Sequence, residues 1–157
     1  MILQKKKRMA SKHGTLYTIE KLIDEKFEPI IFTLNNASLL FNIQRTSNKI
    51  YLKWKSNSMS GLSDILDIET AIKNFFNKNI ASNIIEKNNY PKHVSTQIKV
   101  NKNGSDIIND TENSTKTYEE YITKNNRYNL ILEIKNVFEK DTVINYTINI
   151  KKISIAF

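Results

Sequence analysis

The stretch Lys49-Ile50-Tyr51-Leu52-Lys53-Trp54-Lys55 alternates without a slip, and its frame sets the reading of the chain on both sides. Ile50, Leu52 and Trp54 share one face, while Tyr51, Lys53 and Lys55 share the other, the period of a strand with one side buried. Just upstream, Thr46-Ser47-Asn48 is turn sequence and Ser38 to Gln44 is a second strand candidate, so the two strands form a hairpin. Before them, Pro29 opens the β-rich run Ile30-Ile31-Phe32-Thr33-Leu34, which Asn35-Asn36 stops. Between Thr15 and Lys26, Leu16, Ile19, Leu22 and Ile23 fit a helical face, with a strand left open as the alternative.

Downstream the period changes. After a polar loop at 56–61, Asp67 reads as the cap of a helix running to about Glu86. Its apolar positions are Ile68, Ala71, Ile72, Phe75, Phe76, Ile80 and Ile84, spaced by threes and fours. Asn88-Asn89-Tyr90-Pro91 ends it. Residues 101–116 are polar and read as a mobile insertion. Tyr128 to Val137 and Thr142 to Ile155 read as two further strands, with Ile144, Tyr146, Ile148 and Ile150 on one face. The predicted fold class is α+β: a small antiparallel β-sheet, one long amphipathic helix packed on it, and an extra C-terminal β-hairpin. Residues 15–157 make one domain, and 1–14 precede it as a flexible basic arm.

Composition narrows the chemistry. With 157 residues the chain holds one core, and no apolar run approaches a membrane span of roughly 18 residues. The first eight residues have no apolar stretch behind their charges, so no secretory signal is expected, and the expected location is intracellular. Three glycines and no cysteine exclude phosphate-cradling glycine loops, thiol nucleophiles and cysteine zinc sites. Ile, Asn and Lys, all with A/T-rich codons, make up 66 residues, so an A/T-rich genome accounts for part of the +8 charge. Five of those charges (Lys5, Lys6, Lys7, Arg8 and Lys12) sit in residues 1–13 with no acid among them.

Enzyme signals are poor. His13 and His93 are far apart, and Asp64, Asp67 and Glu69 read as complement to a helix dipole. No catalytic residue, cofactor or metal is expected. Lys5-Lys6-Lys7-Arg8 suits phosphate neutralisation or nuclear import, and Tyr51 and Trp54 interleaved with Lys53 and Lys55 suit base stacking beside phosphate contacts. Alternation alone would put Trp54 in the core.

A resemblance bears on that choice. Leu40-Phe41-Asn42-Ile43-Gln44, then Tyr51-Leu52-Lys53-Trp54, Gly61 seven residues after the Trp, and Ala71-Ile72-Lys73-Asn74-Phe75 together resemble the WGR domain of the DNA-dependent poly(ADP-ribose) polymerases. Tyr121 to Ile134 is similar to that family's closing stretch, so the likeness covers about 28–135, with 87–117 as an insertion. The naming tripeptide here is Trp54-Lys55-Ser56, without its Gly and Arg, and no catalytic domain is present. The resemblance implies a DNA-break binder in which Trp54 stacks at the strand end and Lys53 or Lys55 supplies charge.

The expected function is therefore a non-enzymatic nucleic-acid-binding protein recognising DNA ends through Trp54, Lys53, Lys55 and Tyr51, with Lys5 to Arg8 as a basic arm. A rival within the class is a single-strand binder of OB type, against which three glycines are few for barrel corners. A rival from another class is an accessory subunit, whose C-terminal run Ile153-Ser154-Ile155-Ala156-Phe157 pairs with a protein partner as a free strand edge.

Overall fold

The computed structural model describes the chain except residues 58, 88, 101–106, 111–112 and 114–115. It is mostly β, which corrects the α+β expectation. Strands β1 (Leu3–Ser11), β2 (Gly14–Ile23) and β3 (Lys26–Glu28) precede β4 (Ile30–Leu39), β5 (Gln44–Arg45) and β6 (Lys49–Ser56). Helix α1 (Met59–Phe76) leads to β7 (Asn79–Ile80), β8 (Ile84–Lys87) and β9 (Tyr90–Lys99). The short helix α2 (Tyr118–Tyr121) is followed by β10 (Arg127–Ile134), β11 (Asn136–Lys140), β12 (Val143–Tyr146) and β13 (Asn149–Ile155).

Five of these strands close into a barrel. β4 pairs antiparallel with β6, β6 with β9, β10 with β13, and β10 with β4. β13 joins β9 in parallel through Asn149 and Gln97, completing the ring. Numbered along the chain, the barrel order is 1-2-3-5-4-1 with strands three and five parallel, which is the connectivity of an OB barrel. Trp54, Leu52 and Ile50 from β6 fill its interior with Val94 and Ile98 from β9 and Leu34 from β4.

The corners do not need glycine. Asn36 takes the left-handed conformation (φ 57°) and accepts strain that Asn tolerates, its amide donating to Asn129 Oδ1 at 3.0 Å. The β4–β10 register shifts there, so the pair Asn35-Asn36 bends one continuous strand instead of ending it. A second irregularity bends β10 against β13 between Ile131 and Leu132.

β5 and β8 extend the barrel sheet at β6 and β9, and the other six strands form a second sheet in the order β1-β2-β11-β12-β7, with β3 paired to β2. Residues 3–11 are thus a paired strand, not a flexible arm: Leu3 lies opposite Lys21 and Ser11 opposite Gly14. Residues 15–26 are strand sequence as well, their apolar positions being spread over β2 instead of along a helix.

α1 lies earlier than its apolar spacing predicts. Asn77 (φ 52°) takes the left-handed position just past the helix, and the Lys78 amide reaches back to the Lys73 carbonyl. Ile80 and Ile84, which prolong the helical spacing, belong to β7 and β8. The buried face is Ile65, Ile68, Ile72 and Phe76, each Ile contributing roughly 1.5–3 kcal/mol, while Phe75, 38% exposed, lies outside it. Asp67 sits mid-helix and exposed, so it caps nothing.

Two further expectations change. The proposed insertion at 87–117 contains β9, a barrel strand; most of the polar run 101–116 falls outside the described residues. Within it, Ile107 and Ile108 are buried, and Ile108 bridges Ile153. The C-terminal run is no free edge: Ile153, Ser154 and Ile155 pair with Leu130, Asn129 and Tyr128 of β10, and Ile153 is bridged on its other side by Ile108.

Candidate nucleic-acid interface

The hairpin between β4 and β6 is interrupted after Leu40, whose amide donates to the Lys53 carbonyl at 2.9 Å. Pairing resumes with Gln44 opposite Tyr51 and Arg45 opposite Ile50. The three residues between, Phe41 to Ile43, leave the ladder, and Phe41 folds over the outward face of the barrel. Its ring meets Tyr90 edge-on at 5.2 Å and His93 at 5.4 Å, and Lys53 Nζ stands 5.9 Å from its centroid.

These residues bound a cleft of about 350 Å³ on the outer surface of β6 and β9. Phe41, Tyr51 and Tyr90 give it three rings; Lys53 and Lys87 give it charge; Asn42 and Gln44 line its edge with amides. The volume is at the small end of ligand clefts and suits something of nucleotide size. His93 forms part of the wall, only 2% exposed. Its Nδ1 lies 2.9 Å from the Pro91 carbonyl, and since a carbonyl only accepts, Nδ1 carries the hydrogen.

The surroundings are electropositive. β6 and β9 carry Lys49, Lys53, Lys55, Lys92 and Lys99 and no acid. Lys92 is held by Glu86 at 2.6 Å, and Arg45 by Glu119; Lys53, Lys55 and Lys99 have no carboxylate partner among the described residues.

The residues expected from sequence divide. Tyr51 and Lys53 are brought together in the cleft, and Lys55 points outward on the same strand, opposite His93. Trp54 does not join them. It is 0% exposed in the barrel interior, edge-on to Tyr128 at 5.7 Å, and its indole donates to Thr96 Oγ1 at 2.9 Å. The role of strand-end stacker is therefore corrected: Trp54 keeps the inward phase of Ile50 and Leu52.

Lys5, Lys6, Lys7 and Arg8 lie in β1 of the second sheet, and none of them lines the cleft. Lys5 Nζ is caged by the rings of Tyr17, Phe76 and Phe75 at 4.8, 5.0 and 5.8 Å. Arg8 Nε donates to Thr18 Oγ1 at 2.7 Å, while Lys6 and Lys7 are exposed.

Phe41, Tyr90, Lys87 and His93 were not legible as site residues, since they meet only through the pairing of β8 with β9 and the bulge after Leu40. Glu69, read as part of a helix-start cluster, is instead buried and accepts from Tyr146 and Ser82 at 2.7 and 2.6 Å. Among the described residues no group of His, Asp and Glu converges to hold a metal, and no helix is long and apolar enough to cross a membrane. No protein-family model matches this chain, and no curated protein matches it.

Proposed function

We propose that the protein is a non-enzymatic binder of single-stranded nucleic acid, taking a base into the Phe41–Tyr51–Tyr90 cleft and phosphates onto the lysines around it. The observation that carries this is the position of an aromatic cleft, with no acid among its described lining residues, on the outward face of the second and third strands of an OB-ordered barrel. That face is where such barrels take oligonucleotides, and stacking with lysine contacts is the chemistry such ligands need. Recognition of DNA ends, which the WGR resemblance implies, asks for an exposed stacking Trp; the interior position of Trp54 leaves that reading without its residue. The accessory-subunit reading loses its free edge in the same way.

The test compares labelled single strand, linear duplex and closed circular duplex by anisotropy. Tighter binding to single strand, weakened by Tyr51→Ala with an unchanged melting temperature, is the expected result. Equal binding to strand and duplex, indifferent to Tyr51→Ala, would overturn the proposal. Preference for linear over circular duplex would restore the end-binding reading.

A further inference from the structure

Lys49 and Lys99 face each other directly across the β6–β9 ladder. Like charges opposite one another weaken a sheet, and neither side chain has a carboxylate partner among the described residues. Lys99 belongs at the same time to a second, smaller recess of about 140 Å³, shared with Lys135, Lys151 and Glu133. Glu133, 8% exposed, is the one carboxylate among the described residues that line it, and its Oε2 is 4.0 Å from Lys151 Nζ. Three lysines, Lys99, Lys135 and Lys151, thus share the recess with Glu133, and Lys49 adjoins it through Lys99. This recess has less than half the volume of the aromatic cleft, and among the described residues only Ile107 and Ile150 give it apolar lining, so it suits an oxyanion and not a base.

The two places are continuous. Lys49 is two residues from Tyr51 on the same face of β6, about 7 Å along the strand. Lys99 then joins Lys49 to the recess around Glu133. We infer that Lys49, Lys99, Lys135 and Lys151 form a phosphate-binding track that receives the backbone of the strand whose base occupies the aromatic cleft. This rests on the single-strand reading above. The track relieves a like-charge pair that no carboxylate among the described residues compensates, and it sets the footprint at several nucleotides instead of one.

The test uses two ligands, a thymidine dinucleotide and an oligothymidine of about 15 nucleotides, near the longest that one OB barrel covers. The variant is Lys99→Gln with Lys135→Gln, its fold checked by thermal melting, and Tyr51→Ala is run beside it. Loss of two phosphate contacts should flatten the slope of log affinity against log salt by about 1.4 on the long strand and leave the dinucleotide unaffected. An unchanged slope, with Tyr51→Ala still impaired, overturns the track and leaves the cleft reading standing. A flattened slope with Tyr51→Ala at wild-type affinity sustains the track and overturns the cleft reading. Failure of the long strand to bind the wild type overturns both. Inorganic polyphosphate is the remaining arm: if it binds through Lys99 and Lys135 while the strand slope does not change, the patch serves a free polyanion and the continuity is overturned.

Discussion

Trp54 and Thr96 meet diagonally across the β6–β9 ladder inside the barrel, the indole N–H donating to Thr96 Oγ1 at 2.9 Å. The hydroxyl passes its own hydrogen to the Leu52 carbonyl at 3.0 Å, so a buried polar side chain on β9 is satisfied wholly by β6. Trp54→Ala is expected to cost about 3–5 kcal/mol through the cavity alone. Trp54→Phe keeps most of the volume but leaves Thr96 with one partner fewer, and should cost less. Urea denaturation of both variants checks this; a folded Trp54→Ala protein of wild-type stability would contradict the interior placement.

Removal of residues 1–13 is expected to lower the melting temperature clearly, because it strips one edge of β2 of its longest antiparallel pairing and takes Leu3 from the core. An untethered arm would be lost without effect on stability. Lys5→Gln isolates one part of this: it removes the cation over Tyr17, Phe75 and Phe76 and should cost about 0.5–1 kcal/mol. No loss in the truncated protein would mean that the β1–β2 hairpin contributes nothing to the fold.

What the sequence makes legible is local. Strict alternation in β6 puts Ile50, Leu52 and Trp54 inside, and its outward phase finds Tyr51 and Lys53, two members of the cleft. The stacking role that the resemblance implies for Trp54 runs against that alternation, and the alternation gives the right side. The helix frame slips because Ile80 and Ile84 happen to continue a three-four spacing past the stop at Asn77, which only its left-handed backbone reveals. β9 is hidden for a different reason: Ser95, Thr96 and Gln97 look like loop sequence until Thr96 meets the Trp54 indole and Gln97 meets Asn149. The aromatic cleft draws on four segments whose approach depends on distant register, so no single stretch announces it.

Tyr146 and Glu69 tie the β11–β12 hairpin to α1. The Tyr146 hydroxyl donates to Glu69 Oε1 at 2.7 Å, and Ser82 donates to the same oxygen. Burial, then the neighbouring Glu69 charge, push the phenol far above its ordinary range, so it stays a donor at any ordinary pH. Glu69→Ala strands two hydroxyls and should cost about 1–3 kcal/mol for each that stays dry. Tyr146→Phe, which keeps the ring, should cost less than Glu69→Ala. The reverse order in thermal melts would rule out the shared carboxylate as the tie.

Tyr121 supplies a pH test of the other end of the barrel. Its hydroxyl accepts from the Ile155 amide at 3.0 Å and donates to Asp110 Oδ2 at 3.4 Å. Burial pushes the phenol from 10 up to about 12; the Ile155 amide holds it back, and the Asp110 charge adds to the rise. A folded-state value above the unfolded one means that the unfolded chain gives up its proton first as the solution becomes alkaline. The stability linked to this proton is therefore complete below pH 10 and is lost progressively between 10 and 12. Tyr121→Phe has no such proton, so its stability should start lower and fall less steeply across that window than the wild type's. Denaturant midpoints measured for both proteins through the window decide it, since the lysines titrate alike in each and cancel in the difference. Parallel curves for the two proteins would mean that the Tyr121 hydroxyl titrates as in the unfolded chain and does not hold β13 to α2.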